Sequence, residues 1–436
     1  MTFQELLARL AAAKTDDVRA WVVTENLLEQ MPADLRTITW AAAIPHWFDA
    51  DILAALRPEL KDRAAQLYAD LQKIPFVEVF PERGHNLHEL TRRLMLEHLW
   101  RDNPDEFRAL SARAASYFSK LGEDQTRKSR VVKWFMRVLL RFTGRETSTS
   151  QKAFSSPATL IEFIYHLLVG KSDEGANALW TLGAALNDAF RFAELDIMAD
   201  VALEHANAGR LIGRGKGLAH FFKGLNEKRV YRNDRALEEF QKAQDNTGTD
   251  NQLLANVLKA MGDVQQFRDE RDTALQNYAQ ALELFRAVGS KLGEANVESA
   301  LIRFELVQTK DIVSAERKLN EIVDKRRAIQ GLFSEGADYF NFAVTLVTLQ
   351  EWERARIYSE KARSVFAQII EPLPTQQTFR LDEVANNLRE GIILAEQGQA
   401  VRAKVFFLKA QEISNLLGEL SLTRFMDELI AKEGSP

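Results

Sequence analysis

GLNEKRVYRNDRALEEFQKA (residues 224–243) and GDVQQFRDERDTALQNYAQA (residues 262–281) carry one arrangement of small and large side chains. The first contains Gly224, Ala236, Phe240 and Ala243; the second contains Gly262, Ala274, Tyr278 and Ala281. In both, a glycine at position i is answered by alanine at i+12, an aromatic at i+16 and a second alanine at i+19. A self-similar period of about 40 residues marks an array of helical hairpins. Small residues let the two helices of a hairpin cross closely, and we expect the aromatic ring to plug into the next hairpin. The frame extends outward from this pair. Gly183 stands one such step before Gly224, with Ala199 and Ala202 in the second-helix positions. Ala315, Leu319 and Ile322 repeat the frame one step after Ala274, and Ala355, Tyr358 and Ala362 follow at the next. Gly391, Ala403, Phe407 and Ala410 form the last copy, after a step lengthened by an insertion near Pro372 to Thr375.

This spacing resembles the tetratricopeptide repeat (TPR), and the resemblance implies a superhelical stack of hairpins that binds other proteins. A hairpin cannot bury its own apolar face, so neighbours must stack. We therefore expect an all-α, TPR-like α-solenoid of about six repeats over residues 157–436. In the resembled family the first helix of each repeat lines the concave surface. Placed on this frame, the inward candidates are Asn187, Lys228, Arg229, Asn256, Lys259, Gln266, Gln308 and Asn341. Their amides and ammonium groups suit the backbone and carboxylates of an extended protein or peptide ligand.

Upstream of the array the pattern changes. Residues 1–30 read as two amphipathic helices, the second starting near Asp16, whose carboxylate can cap it. Residues 31–122 form a separate unit. Leu35, Ile38, Trp40 and Ala41 face inward on one helix, Asp49 caps another, and Ala64–Leu71 is a third. Phe76, Val77, Val79 and Phe80 then read as a strand, and Pro81-Glu82-Arg83-Gly84 as a turn into a return strand. Three helices and a small hairpin make a winged-helix-like order. MPADLRTITWAAAIPHWFDADILAAL and FVEVFPERGHNLHEL resemble the winged-helix segment of STAND regulators (signal-transduction ATPases with numerous domains). Leu87-His88-Glu89 is similar to the Met-His-Asp motif of that family, whose histidine contacts ADP. Glutamate and leucine replace aspartate and methionine here, and no Walker A loop accompanies them. Gly170-Lys171-Ser172 has Tyr165 where that loop's first glycine belongs and follows a helical pattern.

Residues 123–156 are a basic bridging helix and linker. Lys133, Trp134, Arg137 and Arg141 belong to a basic, aromatic stretch that offers a possible second surface. The chain as a whole has 436 residues, 46% of them hydrophobic, and a net charge of −5, which argues against a dedicated nucleic-acid binder. The absence of cysteine excludes disulfides and thiolate metal sites. No signal peptide or apolar run of about 18 residues stands out, so we expect a cytoplasmic protein without a membrane span. His85 and His88 are a close histidine pair without zinc spacing; we expect no metal and no cofactor, with His88 capping the following helix. No nucleophile elbow or metalloprotease motif occurs, and no enzyme is expected.

The leading expectation is a non-catalytic adaptor or regulator, in bacterial signalling or defence by the resemblance, that holds a protein or peptide in the TPR groove. One alternative is a winged-helix transcription regulator that senses peptide and contacts DNA through Lys61 and Arg63. A second is a nucleotide-responsive partner subunit that offers His88 to a separate ATPase.

Overall fold

The structure, a computed structural model, describes residues 3–126, 157–188, 191–230, 232–329, 332–368, 381–417, 425–427 and 429–431. Lys133, Trp134, Arg137, Arg141 and the insertion near Pro372 lie outside these residues. The described residues pack as two compact units. One comprises 3–126, 157–182 and 200–215; the other comprises 183–199 and those from 216 onward.

The first unit opens with α1 (Phe3–Ala12) and α2 (Asp16–Gln30). The cap of α2 is Thr15, not Asp16: the Val18 amide donates to Thr15 Oγ1 at 3.3 Å, and Asp16 is already helical. Next come α3 (Ala33–Ala42) and α4 (Ala50–Leu56), the latter capped by Asp49, which accepts from the Ile52 amide at 2.8 Å. A 3-10 turn (Pro58–Arg63) leads into α5 (Ala64–Leu71). β1 (Val77–Phe80) then pairs antiparallel with β2 (Gly84–Leu87), Val77 opposite Leu87. The turn between them needs positive φ at Glu82 and at Gly84. At Gly84 a Cβ would also sit 2.5 Å from the Phe48 carbonyl oxygen, so only glycine fits. Phe48 and His85 exchange two backbone hydrogen bonds, at 2.7 and 3.0 Å, which ties the hairpin to the turn after α3. α6 (Glu89–Asp102) and α7 (Pro104–Thr126) follow. Ile38, Phe48, Leu53, Leu67, Leu87, Met95, Phe107 and Phe118 fill one core. α8 (Pro157–Gly170) lies on α7 so closely that a Cβ on Gly170 would come 2.5 Å from the Ala112 nitrogen. Gly170 thus serves helix packing, and Lys171 pairs with Glu174 at 3.2 Å on one helical turn.

The repeat helices are α9 (Ser172–Asp188), α10 (Phe192–Asn207), α11 (Gly213–Arg229), α12 (Asn233–Gln244), α13 (Asn251–Phe267) and α14 (Arg271–Ala287). They continue as α15 (Lys291–Thr309), α16 (Ile312–Ala328), α17 (Leu332–Thr348), α18 (Trp352–Ala367), α19 (Leu381–Glu396) and α20 (Ala400–Leu417). The small and large residues of the sequence frame are buried throughout, from Ala199 and Ala202 to Phe407 and Ala410. The fold of the chain is therefore that of an all-α helical repeat protein with one small hairpin among the described residues.

The aromatic ring does more than the spacing leads one to expect. Instead of only entering the next hairpin, it lies on the glycine of its own. A Cβ on Gly224 would meet Phe240 at 2.6 Å, one on Gly262 would meet Tyr278 at 2.8 Å, and one on Gly391 would meet Phe407 at 2.4 Å. Glycine removes the side chain that would hold the two helices apart, and the ring fills the space. The repeat at α17 and α18 breaks the frame: Gly336 receives Phe366, while Tyr358 packs edge-on to Phe342 at 4.8 Å. One step earlier, Arg326 of α16 and Asp338 of α17 form a buried ion pair at 2.9 Å. Among the described residues no helix is long and apolar enough to cross a membrane.

Candidate binding cavity

Successive first helices of the repeats bring their polar stripes together in the second unit. Leu225, Lys228 and Arg229 lie one turn apart on α11, and Asn256, Lys259 and Asp263 do so on α13. With Asn187 of α9, Phe221 and Asn296 they line a cavity of about 280 Å³. Its centre is a carboxylate. Asp263 Oδ2 accepts from Lys228 Nζ at 2.7 Å and from Lys259 Nζ at 2.8 Å. The Tyr278 hydroxyl of α14 lies 3.0 Å from Asp263 Oδ1 and 3.0 Å from Gln266 Oε1. Burial pushes the Asp263 carboxyl up, but the Lys228 and Lys259 charges overcome this and hold it well below the usual range. For Lys259 burial prevails over the attraction of Asp263, and its ammonium titrates below the ordinary lysine value. Burial and the Asp263 charge together push the Tyr278 phenol well up.

Arg229 closes one side. It donates to Asn226 Oδ1 at 2.7 Å and to Asn187 Oδ1, and its guanidinium stands 3.8 Å from the Phe192 ring centroid. Lys228, Lys259 and Arg229 carry three positive charges against one negative charge on Asp263, a local excess of two in a chain that is acidic overall. Cations gathered around an aqueous cleft raise the local concentration of anions.

Of the groove candidates, the fold brings Asn187, Lys228, Arg229, Asn256 and Lys259 to one cavity. Gln266 is beside it but turned to Tyr278. Gln308 is exposed on α15, and Asn341 is half-buried on α17; neither lines the cavity. Sequence reasoning missed Asp263, although it stands four positions after Lys259 and an acid at that spacing meets the lysine on the same helical face. It also missed Asn296, whose place on the third inner helix no spacing rule marks.

Two other candidates stand differently from expectation. His88 occupies the N-cap position of α6, yet its side chain makes no cap hydrogen bond and is exposed; its backbone amide donates to Phe76 O at 2.8 Å. His85 instead pairs with the Tyr68 hydroxyl at 2.7 Å. Arg63 is engaged by Asp34 in an ion pair.

A second concentration of charge lies within the first unit, where no motif pointed. Glu162 of α8 is buried, 2.6 Å from His46 Nδ1 and 3.2 Å from His166 Nε2. Glu204 of α10 accepts from the Tyr165 hydroxyl at 2.6 Å and lies 3.7 Å from His46 Nε2. Arg92 of α6 donates to the Ile44 and Pro45 carbonyls, at 3.0 and 3.2 Å, and to Tyr165 at 3.2 Å. Arg92 and Arg210 approach Glu204 at 3.9 and 3.8 Å. Among the described residues no group of three or more His, Asp or Glu side chains is arranged to hold a metal ion.

The sequence matches no family model and no curated protein. Among solved structures it is similar to a signal transduction ATPase with numerous domains (STAND) protein with a tetratricopeptide repeat sensor from Pyrococcus horikoshii. The identity is 15%, covering 97% of this chain and 69% of that one, with a TM-score of 0.31. The helix pairs and the cavity therefore stand on the chain's own geometry.

Proposed function

We propose that this protein is a non-catalytic binding module that holds an acidic segment of a protein or peptide in the cavity between α9, α11, α13 and α15. The observation that carries the reading is the excess of two positive charges around Asp263, on side chains from successive repeats facing open space. Lysine stems are flexible, so Nζ groups now shared with Asp263 can turn to a ligand carboxylate, while asparagine amides meet a peptide backbone. The Asp263 carboxylate is held by Lys228, Lys259 and Tyr278 rather than offered as a general base, which supports binding over catalysis. The order of helices and hairpin in residues 33–102 supports a winged-helix-like reading of that segment. Its partner is then a protein rather than DNA, because Asp62 and Asp70 dilute the positive charge of Lys61 and Arg63 around α5. An adaptor or regulator role, built like the sensor half of a STAND protein, fits both parts.

Fluorescence anisotropy with labelled octaglutamate, octalysine and glycine-serine peptides tests this. Octaglutamate should bind, the other two should not, and Lys228→Glu/Lys259→Glu should weaken it at least tenfold. Equal binding by wild type and the double variant would contradict the reading.

A further inference from the structure

The charge cluster of the first unit has a division of protons written into its geometry. Both ring nitrogens of His46 face carboxylates, Nδ1 toward Glu162 at 2.6 Å and Nε2 toward Glu204 at 3.7 Å. A neutral imidazole carries one N–H, so it would turn a lone pair on one of those carboxylates. The cation thus meets both carboxylates, Glu162 by a hydrogen bond and Glu204 by charge, where the neutral ring meets only one. His166 and His205 are the reverse. His166 offers Nε2 to Glu162 and His205 offers Nε2 to the Tyr165 carbonyl at 3.0 Å, while Nδ1 of each is buried without a hydrogen-bond partner. A second proton on either ring would have no acceptor. These two fit only as neutral rings.

Solvent access differs in the same way. The His46 side chain is 31% exposed, whereas those of Glu162 and His166 are 5% and 0% exposed. Protons can reach His46 without the core opening. His46 sits in the turn between α3 and α4, close before Phe48, which bridges to His85 of the hairpin. The cluster thus fastens that turn to α8 and α10. Besides the two carboxylates, His46 meets Tyr165 and His166 from α8, Arg92 from α6, and, through Glu204, Arg210 from the turn after α10.

We propose that this cluster is a proton-operated latch, holding the 43–48 turn onto α8 and α10 when His46 is protonated and His166 and His205 are not. The electrostatics agree with the geometry. Burial lowers the His46 pKa, but Glu162 and Glu204 more than offset it, so the group titrates above the ordinary histidine value. Burial dominates at His166 and His205 and places both below it. A raised histidine gives stability that is complete below its unfolded pKa and is lost as pH rises through the folded one. Depressed histidines give stability that is present above the unfolded pKa and is lost as pH falls through the folded one. The latch is closed around neutral pH and opens on both sides, with His46 governing the alkaline side.

Hydrogen exchange of the full chain, followed by mass spectrometry from pH 6 to pH 9.5 and corrected for the intrinsic pH dependence of exchange, tests the latch. In the wild type, protection of segments 43–48 and 160–168 should fall on the order of tenfold as His46 loses its proton, because the proton affinity gained on closing sets how far the equilibrium moves when the proton leaves. His46→Gln should show low protection there at every pH, with the alkaline step gone. His46→Lys, which keeps a cation in place, should retain protection to pH 9.5. Protection that is independent of pH in the wild type, or an alkaline step that persists in His46→Lys, would overturn the proposal.

Discussion

The cavity around Asp263 and the cluster around Glu162 are both built on a carboxylate held by several cationic or hydrogen-bonding partners, yet they differ in what surrounds them. Asp263 is met by two lysines, and with Arg229 the cations outnumber it beside about 280 Å³ of open space. Glu162 is met by imidazoles, whose charge changes near neutrality, with its side chain 5% exposed. The lesson is that one chemical element serves two ends. Excess charge beside space invites a ligand; titratable charge inside a core sets a condition on the fold.

Substitutions sharpen this contrast, the largest effect being expected at the closed site. Glu162→Ala should cost about 3 kcal/mol in chemical denaturation, because it removes the buried carboxylate that His46 and His166 share and leaves His46 only the more distant Glu204. A loss below about 1 kcal/mol would mean that water already reaches the cluster. Asp263→Asn should cost less, about 2 kcal/mol, because the Asp263 carboxylate is 14% exposed where that of Glu162 is 5%, so its ion pairs are more screened. The same change should tighten octaglutamate binding, since it removes the resident competitor. Tyr278→Phe should cost about 1 kcal/mol, the worth of a hydroxyl hydrogen bond. Arg93→Ala, which removes a half-exposed pair with Asp17 at 2.9 Å, should change stability by less than about 1 kcal/mol and leave both sites unaltered.

The repeat array was legible because its physics is periodic. Gly224 with Phe240, Gly262 with Tyr278 and Gly391 with Phe407 each need one small and one large residue at a fixed helical spacing, and the sequence repeats them. The hairpin after α5 was legible for a local reason, the dense β-branched and aromatic run before Pro81 and Gly84. What the aromatic ring touches was not legible, because spacing fixes a helical face but not which neighbour fills it. At the cavity, Lys228 and Lys259 could be placed on a face, while Asp263 looked like an ordinary surface acid. The charge cluster was hidden altogether. His46, Arg92, Glu162 and Glu204 stand far apart along the chain, and each alone reads as a solvated or capping side chain. Only the packing of α8 and α10 beside the turn after α3 brings them together.

The most direct test of the account is difference hydrogen exchange with and without saturating octaglutamate. The account predicts added protection in segments 221–229 and 252–266, with segments 43–48 and 157–170 unchanged. Protection confined to the first unit, or none in the α11 and α13 segments at saturation, would contradict it.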